Sequence, residues 1–147
     1  MFLILNLDQE LAPVIYTPTV GTACLEYSNI LPYLAEPGVP DGLFLNKADL
    51  PNLHQVIRDY QPFPNFSPQI AVISDGSRIL GLGDLGLNGM GIPIGKLQLY
   101  VAGAGIDPRR TLPILLDLGT NNEALRNDEF YLGQREPRPN DNEVHDE

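Results

Sequence analysis

The stretch between Arg78 and Lys96 constrains the fold more than any other feature of this sequence. It has an arginine at its start, a lysine at its end and six glycines between them, at positions 81, 83, 86, 89, 91 and 95. Glycine is unfavourable inside regular structure, so this density is typical of backbone that bends tightly around a ligand or another chain segment. We therefore expect a tight loop here, followed by a helix that begins near Ile94.

Three short apolar runs predict buried strands, and segments with helical spacing of apolar residues lie around them. The predicted strands cover residues 42–45, 69–74 and 112–118. The predicted helices cover residues 20–30, 94–104 and 121–126, and a further helix begins at Asp49 or Asn52 and extends to Tyr60. Strands that alternate with helices predict an α/β fold, with a small, mainly parallel sheet and helices packed against it.

Local chemistry suggests where some of these elements begin and end. Thr19 and Asn121 stand at predicted helix starts, where their side chains could cap the first turn. Asp75-Gly76 is a turn signal, and Arg78–Leu80 after it has the pattern of a short returning strand. The prolines within residues 31–41 predict a surface loop.

Composition limits the domain count and the partners. A length of 147 residues is typical of one domain. The net charge of −10 argues against nucleic acid or an anionic membrane as a partner. Residues 140–147 contain four acids and no Lys or Arg. We therefore expect a domain at residues 1–133 and an acidic, flexible tail at residues 134–147.

The cysteine count and the first residues of the chain indicate the cellular compartment. Cys24 is the only cysteine, so no intramolecular disulfide can form, which suits a reducing compartment. The apolar run at residues 1–5 is too short for a membrane span and lacks the basic region of a signal peptide. We therefore expect a protein of the cytoplasm or the mitochondrial matrix that is not secreted.

The spacing of Gly81, Gly83 and Gly86 matches the G-x-G-x-x-G fingerprint of dinucleotide-binding folds. That motif works when it directly follows a strand and opens a helix, whose amino terminus holds the pyrophosphate. Here the predicted strand ends near Ser74, and three more glycines come before the predicted helix is established. We therefore interpret these glycines as packing and turn residues.

Three side chains are candidates for chemistry. Lys96 lies near the predicted start of a helix, where the dipole and desolvation disfavour a protonated ammonium, so it is a candidate general base. Arg78 can grip a carboxylate with two hydrogen bonds, or it can pair with Asp75 or Asp84. Tyr16, held between two prolines, can donate a proton or can be a packing residue. The alternative for Lys96 is a surface lysine on an amphipathic helix.

Asn121 and Asn122 follow the third predicted strand, where α/β proteins place ligand contacts, although turn and capping chemistry explains them equally well. The aspartates stand singly and show no spacing typical of metal ligands. The sequence therefore predicts no metal site within this chain.

Five blocks in this chain, in this order, closely resemble the malic enzymes and the related malolactic enzymes. They are Tyr16-Thr-Pro-Thr-Val-Gly-Thr-Ala-Cys24, Ser74-Asp-Gly76, residues 78–96, residues 112–122 and Phe130-Tyr-Leu-Gly133. The likeness extends from about Asn6 to Gly133. It implies the amino-terminal, substrate-side domain of malic enzymes, truncated before the Rossmann-type cofactor domain.

The resemblance implies roles at matching positions. Tyr16 is similar to the general acid that protonates the enol of pyruvate, and Lys96 to the general base that takes the hydroxyl proton of malate. Arg78 is similar to the residue that binds a carboxylate of malate close to the nicotinamide, so it contributes to substrate and cofactor binding. Asn121 and Asn122 match a segment near the substrate.

The resemblance further implies NAD or NADP and Mg or Mn as cofactors, and malate or pyruvate as ligands. The family's metal-binding acids and cofactor domain have no counterpart here, so we expect a partial malic enzyme chain that is inactive alone. One alternative is a non-enzymatic module that forms a homo-oligomer or associates with a full-length homologue. Another is a fragment of an enzyme that converts malate to lactate.

Overall fold

The fold is seen in a computed structural model of the chain. The residues that it describes are 12–33, 41–60, 62, 63 and 65–140. The first eleven residues, which include the apolar run at residues 1–5, therefore lie outside the described residues. Most of the proline-rich loop predicted at residues 31–41 also lies outside them.

Three parallel strands form the sheet, as predicted. They are β1 (Leu43–Asn46), β2 (Ile70–Ser74) and β3 (Thr111–Asp117). The spatial order is β1-β3-β2, with Leu43 opposite Ile114 and Ile70 opposite Thr111. The α/β fold with a parallel sheet is confirmed, and each strand lies within one residue of its predicted bounds.

Helices surround the sheet. They are α1 (Ala12–Ile15), α2 (Thr19–Leu25), α3 (Tyr27–Ile30), α4 (Leu53–Asp59), α5 (Gly91–Ala104) and α6 (Glu123–Asn127). Short 3₁₀ turns cover Leu31–Tyr33, Lys47–Asn52, Gly86–Met90 and Pro108–Arg110. In the described part of the chain, no helix combines the length and apolar character needed to span a bilayer.

The strand order places the connecting helices on opposite faces of the sheet. The chain moves two positions from β1 to β2 and then one position back to β3, and right-handed crossovers in opposite directions use opposite faces. On one face, Leu53 and Val56 of α4 pack against a buried cluster from β1 and β3. On the other, Ile94 of α5 packs against the cluster that contains Leu115. The core therefore has two layers separated by the sheet.

The strands differ in how deeply they are buried. Central β3 contains fully buried Leu115, as a continuous apolar run predicts. Edge strand β2 alternates between half-buried and exposed residues, and Ile73 is 59% exposed. Burial on both faces, which the apolar run at residues 69–74 suggested, is therefore wrong for β2. Its open face borders the cleft described below.

The dense glycines let backbone segments approach closely. Gly86 has a φ of +51°, and a Cβ there would collide with the hydroxyl of buried Tyr131. That hydroxyl accepts a 2.9 Å hydrogen bond from the N–H of Leu87, and burial raises the pKa of Tyr131 to about 12. A Cβ on Gly89 would lie 3.0 Å from the Cα of Gly76. These glycines are packing residues, in line with the interpretation of the motif.

Some predicted boundaries were wrong. Thr19 is the first residue of α2 and does not cap it, because its hydroxyl donates a 2.7 Å bond to the carbonyl of Pro13. Asn122, rather than Asn121, caps α6 by accepting a bond from the N–H of Ala124. Residues 78–80 form no strand, and only an isolated antiparallel bridge joins Ile79 to Gly83.

Part of the expected tail is packed against the domain. Gln134 donates its N–H to Asp117 at 2.8 Å, and the N–H of Thr120 donates to the carbonyl of Glu136 at 2.9 Å. Residues 134–140 thus lie against the carboxyl end of β3, because they satisfy polar groups that the strand leaves open. The boundary at residue 133 stays a prediction, and residues 141–147 lie outside the described residues.

Candidate functional site

A cleft of about 710 Å³ opens between the amino-terminal helices, the carboxyl end of β2 and α5. Tyr16, Arg78 and Lys96 all line it, although they are far apart in the sequence. Val72, Ile73 and Ser74 of β2 form another wall, and the turn at residues 78–82 forms the rim. The fold therefore brings the three predicted chemical residues to one concave surface.

Tyr16 is positioned by the bend between α1 and α2. Its N–H donates to the carbonyl of Ala12 at 2.9 Å, and its carbonyl accepts from the N–H of Val20 at 2.6 Å. The ring lies directly against Gly95 of α5, where a Cβ would stand only 2.7 Å from Tyr16 Cδ2. The absence of a side chain at residue 95 therefore lets the phenol enter the cleft.

Lys96 projects from the second turn of α5 and is exposed. Its Nζ lies 5.3 Å from the centroid of the Tyr16 ring, a cation–π distance. The helix dipole does not act on Lys96 as the sequence predicted. α5 begins at Gly91, three residues before the predicted start, and the dipole effect falls off within the first turn. The acid and base candidates are nevertheless near enough to contact one small molecule.

Arg78 is exposed on the cleft wall and has no hydrogen-bond or ion-pair partner among the described residues. The alternative that it pairs with Asp75 or Asp84 is wrong, because Arg138 binds both of these acids. Arg138 Nη2 donates to the carbonyl of Asp75 at 2.7 Å and to Asp84 Oδ1 at 3.1 Å. Its Nη1 lies 3.6 Å from Asp75 Oδ2.

The cleft lining is positively charged. Among the described residues, the charged side chains that line it are Arg78 and Lys96, and no described Asp or Glu lines it. Low-dielectric walls strengthen the field of like charges within a cleft. The whole chain carries a net charge of −10, so the charge of the described cleft lining is opposite in sign to that of the chain. The site is suited to a small anion.

The pKa values of the two acids beside the cleft are lowered. Burial raises the pKa of Asp84, but bonds from Arg138 and from the N–H groups of Asn121 and Gly86 outweigh it, so the pKa lies below its ordinary value. Burial likewise raises the pKa of Asp75, and bonds from Ser77 with the charge of Arg138 outweigh it. Both groups are therefore carboxylates at neutral pH.

Asn121 and Asn122 do not line this cleft. The N–H of Asn121 donates to Asp84 Oδ2 at 2.7 Å, and its Oδ1 accepts from the N–H of Arg138 at 3.2 Å. The Asn122 side chain donates to the carbonyl of Asp84 at 3.0 Å and caps α6. Here the two residues support the loop around Asp84.

A second cavity, of about 780 Å³, lies at the carboxyl ends of β1 and β3. Its lining mixes the cations Lys47 and Arg138 with the acids Asp117 and Glu136. It contains none of the predicted chemical residues. The smaller cleft is the better candidate, because it brings together the three residues predicted to carry the chemistry, Tyr16, Arg78 and Lys96.

In a comparison of the sequence with models of protein families, the family described as malic enzyme, N-terminal domain, matches residues 1–147, the whole chain. The chain belongs to the malic enzyme family. The resemblance inferred from the sequence blocks is therefore confirmed.

Curated malic enzymes from plants, bacteria and amoebae are similar to this malic enzyme chain. An NADP-dependent malic enzyme 4, chloroplastic, from Arabidopsis thaliana is 50% identical over 136 residues, 92% of this chain and 20% of that protein. An NAD-dependent malic enzyme from Salmonella agona is 50% identical over 143 residues, 97% of this chain and 24% of that protein. An NADP-dependent malic enzyme from Dictyostelium discoideum is 47% identical over 144 residues, 98% of this chain and 25% of that protein. The chain thus spans a fifth to a quarter of the length of these relatives.

The described residues do not fit the cofactors that the malic enzyme family implies. Gly81 and Gly83 have φ of +77° and +78° in a turn closed by the bridge from Ile79 to Gly83, so they do not open a helix toward a pyrophosphate. Gly86 faces Tyr131. Within the described ranges, no three or more His, Cys, Asp or Glu side chains are grouped to hold a metal ion.

Proposed function

We propose that this domain supplies the acid–base and substrate-binding residues of a malic enzyme. The proposed overall reaction is the NAD- or NADP-dependent oxidative decarboxylation of malate to pyruvate. The relatives described above are NADP-dependent and NAD-dependent malic enzymes. The cleft is the part of that reaction site which these residues form.

One observation carries the proposal. Tyr16, Arg78 and Lys96 line one cleft, no Asp or Glu among the described residues lines it, and Lys96 Nζ lies 5.3 Å from the Tyr16 ring centroid. In this proposal, a small dicarboxylate lies between Arg78, which holds one carboxylate, and Lys96, which reaches the C2 hydroxyl. General acid–base catalysis requires such groups within hydrogen-bond reach of the protons that they move.

Each side chain has a defined proton or charge to handle in this proposal. The Arg78 guanidinium binds a carboxylate of malate with two parallel hydrogen bonds. Lys96 Nζ accepts the proton of the C2 hydroxyl. The Tyr16 hydroxyl donates its proton to C3 of the enol of pyruvate once carbon dioxide has left. The family implies a metal and a nicotinamide, and this proposal assigns no described residue to hold either group.

Binding of L-malate to the purified chain, followed by isothermal titration calorimetry and by amide chemical shifts, tests the proposal. Arg78→Gln should weaken binding by roughly tenfold to a hundredfold, since a hydrogen bond to a charged group contributes about 1.5–3 kcal/mol. Lys96→Gln should lower the affinity as well. Arg58→Gln is the matched control, because Arg58 is an exposed arginine of α4, which packs on the opposite face of the sheet.

The pattern across variants decides the outcome. Equal losses for Arg78→Gln and Arg58→Gln would show a general effect of net charge and would overturn the assignment of the cleft. If L-malate changes the amide chemical shifts mainly of residues at the carboxyl ends of β1 and β3, the binding site is the second cavity instead of the cleft. No detectable binding of malate or pyruvate would remove the proposed function from this chain.

A further inference from the structure

Arg138 lies in a segment that the sequence predicted to be a tail, yet its side chain is only 11% exposed. It does not line the candidate cleft, so it is not placed to bind the substrate directly. Its contacts are all with the loop that carries Arg78 or with the residues supporting that loop. This makes it the strongest unexplained charged group in the described part of the molecule.

We propose that Arg138 is a positioning residue that keeps Arg78 available to the ligand, and the proposal rests on the proposed function of the cleft. Arg138 does so in two ways. It fastens the two ends of the loop at residues 75–86, and it occupies the two carboxylates nearest to Arg78 in the sequence.

The first way is mechanical. Arg138 Nη2 donates to the carbonyl of Asp75 at 2.7 Å and to Asp84 Oδ1 at 3.1 Å, so a single nitrogen joins both ends of the loop. Asp84 in turn accepts from the N–H of Gly86 at 3.0 Å and from that of Asn121 at 2.7 Å. The loop is thereby tied to the segment after β3.

The second way is electrostatic. Asp75 lies three residues before Arg78 and Asp84 six residues after it, and Asp75 already bonds the N–H and hydroxyl of the intervening Ser77. A carboxylate released so near to Arg78 would compete with a ligand for the guanidinium. Because Arg138 binds both acids, neither carboxylate pairs with Arg78, which has no ion-pair partner among the described residues.

A double-variant comparison separates positioning from a purely structural role. Arg138→Gln should raise the Kd for L-malate by about tenfold, the loss of roughly one charge-assisted hydrogen bond at Arg78. Adding Asp75→Asn or Asp84→Asn to Arg138→Gln removes one liberated carboxylate, so at least one of these double variants should recover most of the affinity. If Arg138 only stabilises the loop, neither double variant should recover affinity for L-malate, because the second substitution removes still more contacts.

Arg135→Gln is the matched control. Arg135 lies in the same segment and carries the same charge, but it donates only to the backbone carbonyls of Arg126, Glu129 and Tyr131. Its Kd for L-malate should stay close to that of the parent chain. The proposal is overturned if Arg138→Gln binds malate as the parent does, if it matches Arg135→Gln, or if neither double variant recovers affinity.

A readout without ligand keeps this proposal distinct from the proposed function. The Nε–Hε resonance of Arg78 should move and exchange more slowly with solvent in Arg138→Gln, as the guanidinium pairs with a released carboxylate. It should return toward the parent position in a double variant. If the parent chain binds no malate, the proposed function fails, and an Arg78 resonance unchanged by Arg138→Gln would overturn the positioning role as well.

Discussion

Gly95 shows how one missing side chain sets the geometry of the cleft. A Cβ at this position would lie 2.7 Å from Tyr16 Cδ2 and 2.9 Å from Val20 Cγ2, closer than carbon atoms pack. Glycine in a helix interior costs stability, so its presence in α5 needs a packing reason. The reason is the Tyr16 ring, which approaches the helix backbone here and thereby comes near Lys96.

We predict that Gly95→Ala destabilises the domain by about 1–3 kcal/mol, the usual cost of overpacking, even though alanine favours the helix by about 0.5–1 kcal/mol. The displaced ring should also weaken malate binding. Urea unfolding measures the first effect and titration calorimetry the second. The control is Gly103→Ala in the same helix, where a Cβ would meet nothing within 4 Å, so it should stabilise. Equal gains in both variants would contradict the packing role of Gly95.

At the scale of elements, the short α6 depends on a polar side chain at its start. The Asn122 side chain accepts from the N–H of Ala124 and donates to the carbonyl of Asp84. It therefore joins the first turn of α6 to the loop that Arg138 fastens. Asn52 occupies the same N-cap position of α4 but makes no side-chain cap bond.

These two asparagines make a matched pair. Asn122→Ala should lower the free energy of unfolding by about 1 kcal/mol, the typical loss of an N-cap, with an additional cost for the Asp84 carbonyl. Asn52→Ala should change it by less than about 0.5 kcal/mol, as surface substitutions without special contacts do. Urea denaturation of both variants provides the measurement. A loss at residue 52 as large as at residue 122 would show that the capping bond contributes little.

Elements were predictable where one local signal dominates. The apolar run of β3 predicted its burial, because a central parallel strand is covered on both faces. The start of α5 was placed three residues late, because Gly91 and Pro93 conceal a helix whose first turn tolerates proline. The burial of β2 was overestimated, since sequence does not reveal which strand lies at the edge of a sheet.

The candidate site was predictable only in part. Residue chemistry and the family blocks selected Tyr16, Arg78 and Lys96, and the fold then placed all three on one cleft. Arg138 carried no local signal, because the two aspartates that its guanidinium binds lie more than fifty residues away in the sequence. Long-range ion pairs of this kind follow from tertiary structure, so spacing in the sequence cannot indicate them.

The whole molecule combines a strongly acidic chain with a cationic cleft. The net charge is −10, yet the two charged side chains of the cleft lining are Arg78 and Lys96. Arg138 contributes to this difference, because it binds the two nearby acids, Asp75 and Asp84. In the candidate cleft, the charge of the described lining is therefore opposite in sign to the net charge of the chain.

The same ion pairs predict how stability depends on pH. The pKa values of Asp75 and Asp84 are lowered in the folded state, so their contribution is fully present above the unfolded value of about 3.9. It is lost as pH falls through the lowered folded values, because the unfolded chain then binds protons more readily. Unfolding free energies from urea denaturation at a series of pH values should fall steeply below about pH 4. Arg138→Gln should make that fall shallower while Arg135→Gln leaves it unchanged, since only Arg138 contacts the two acids. If the unfolding free energy falls equally below about pH 4 in the parent and in Arg138→Gln, this ion-pair network does not couple folding to pH.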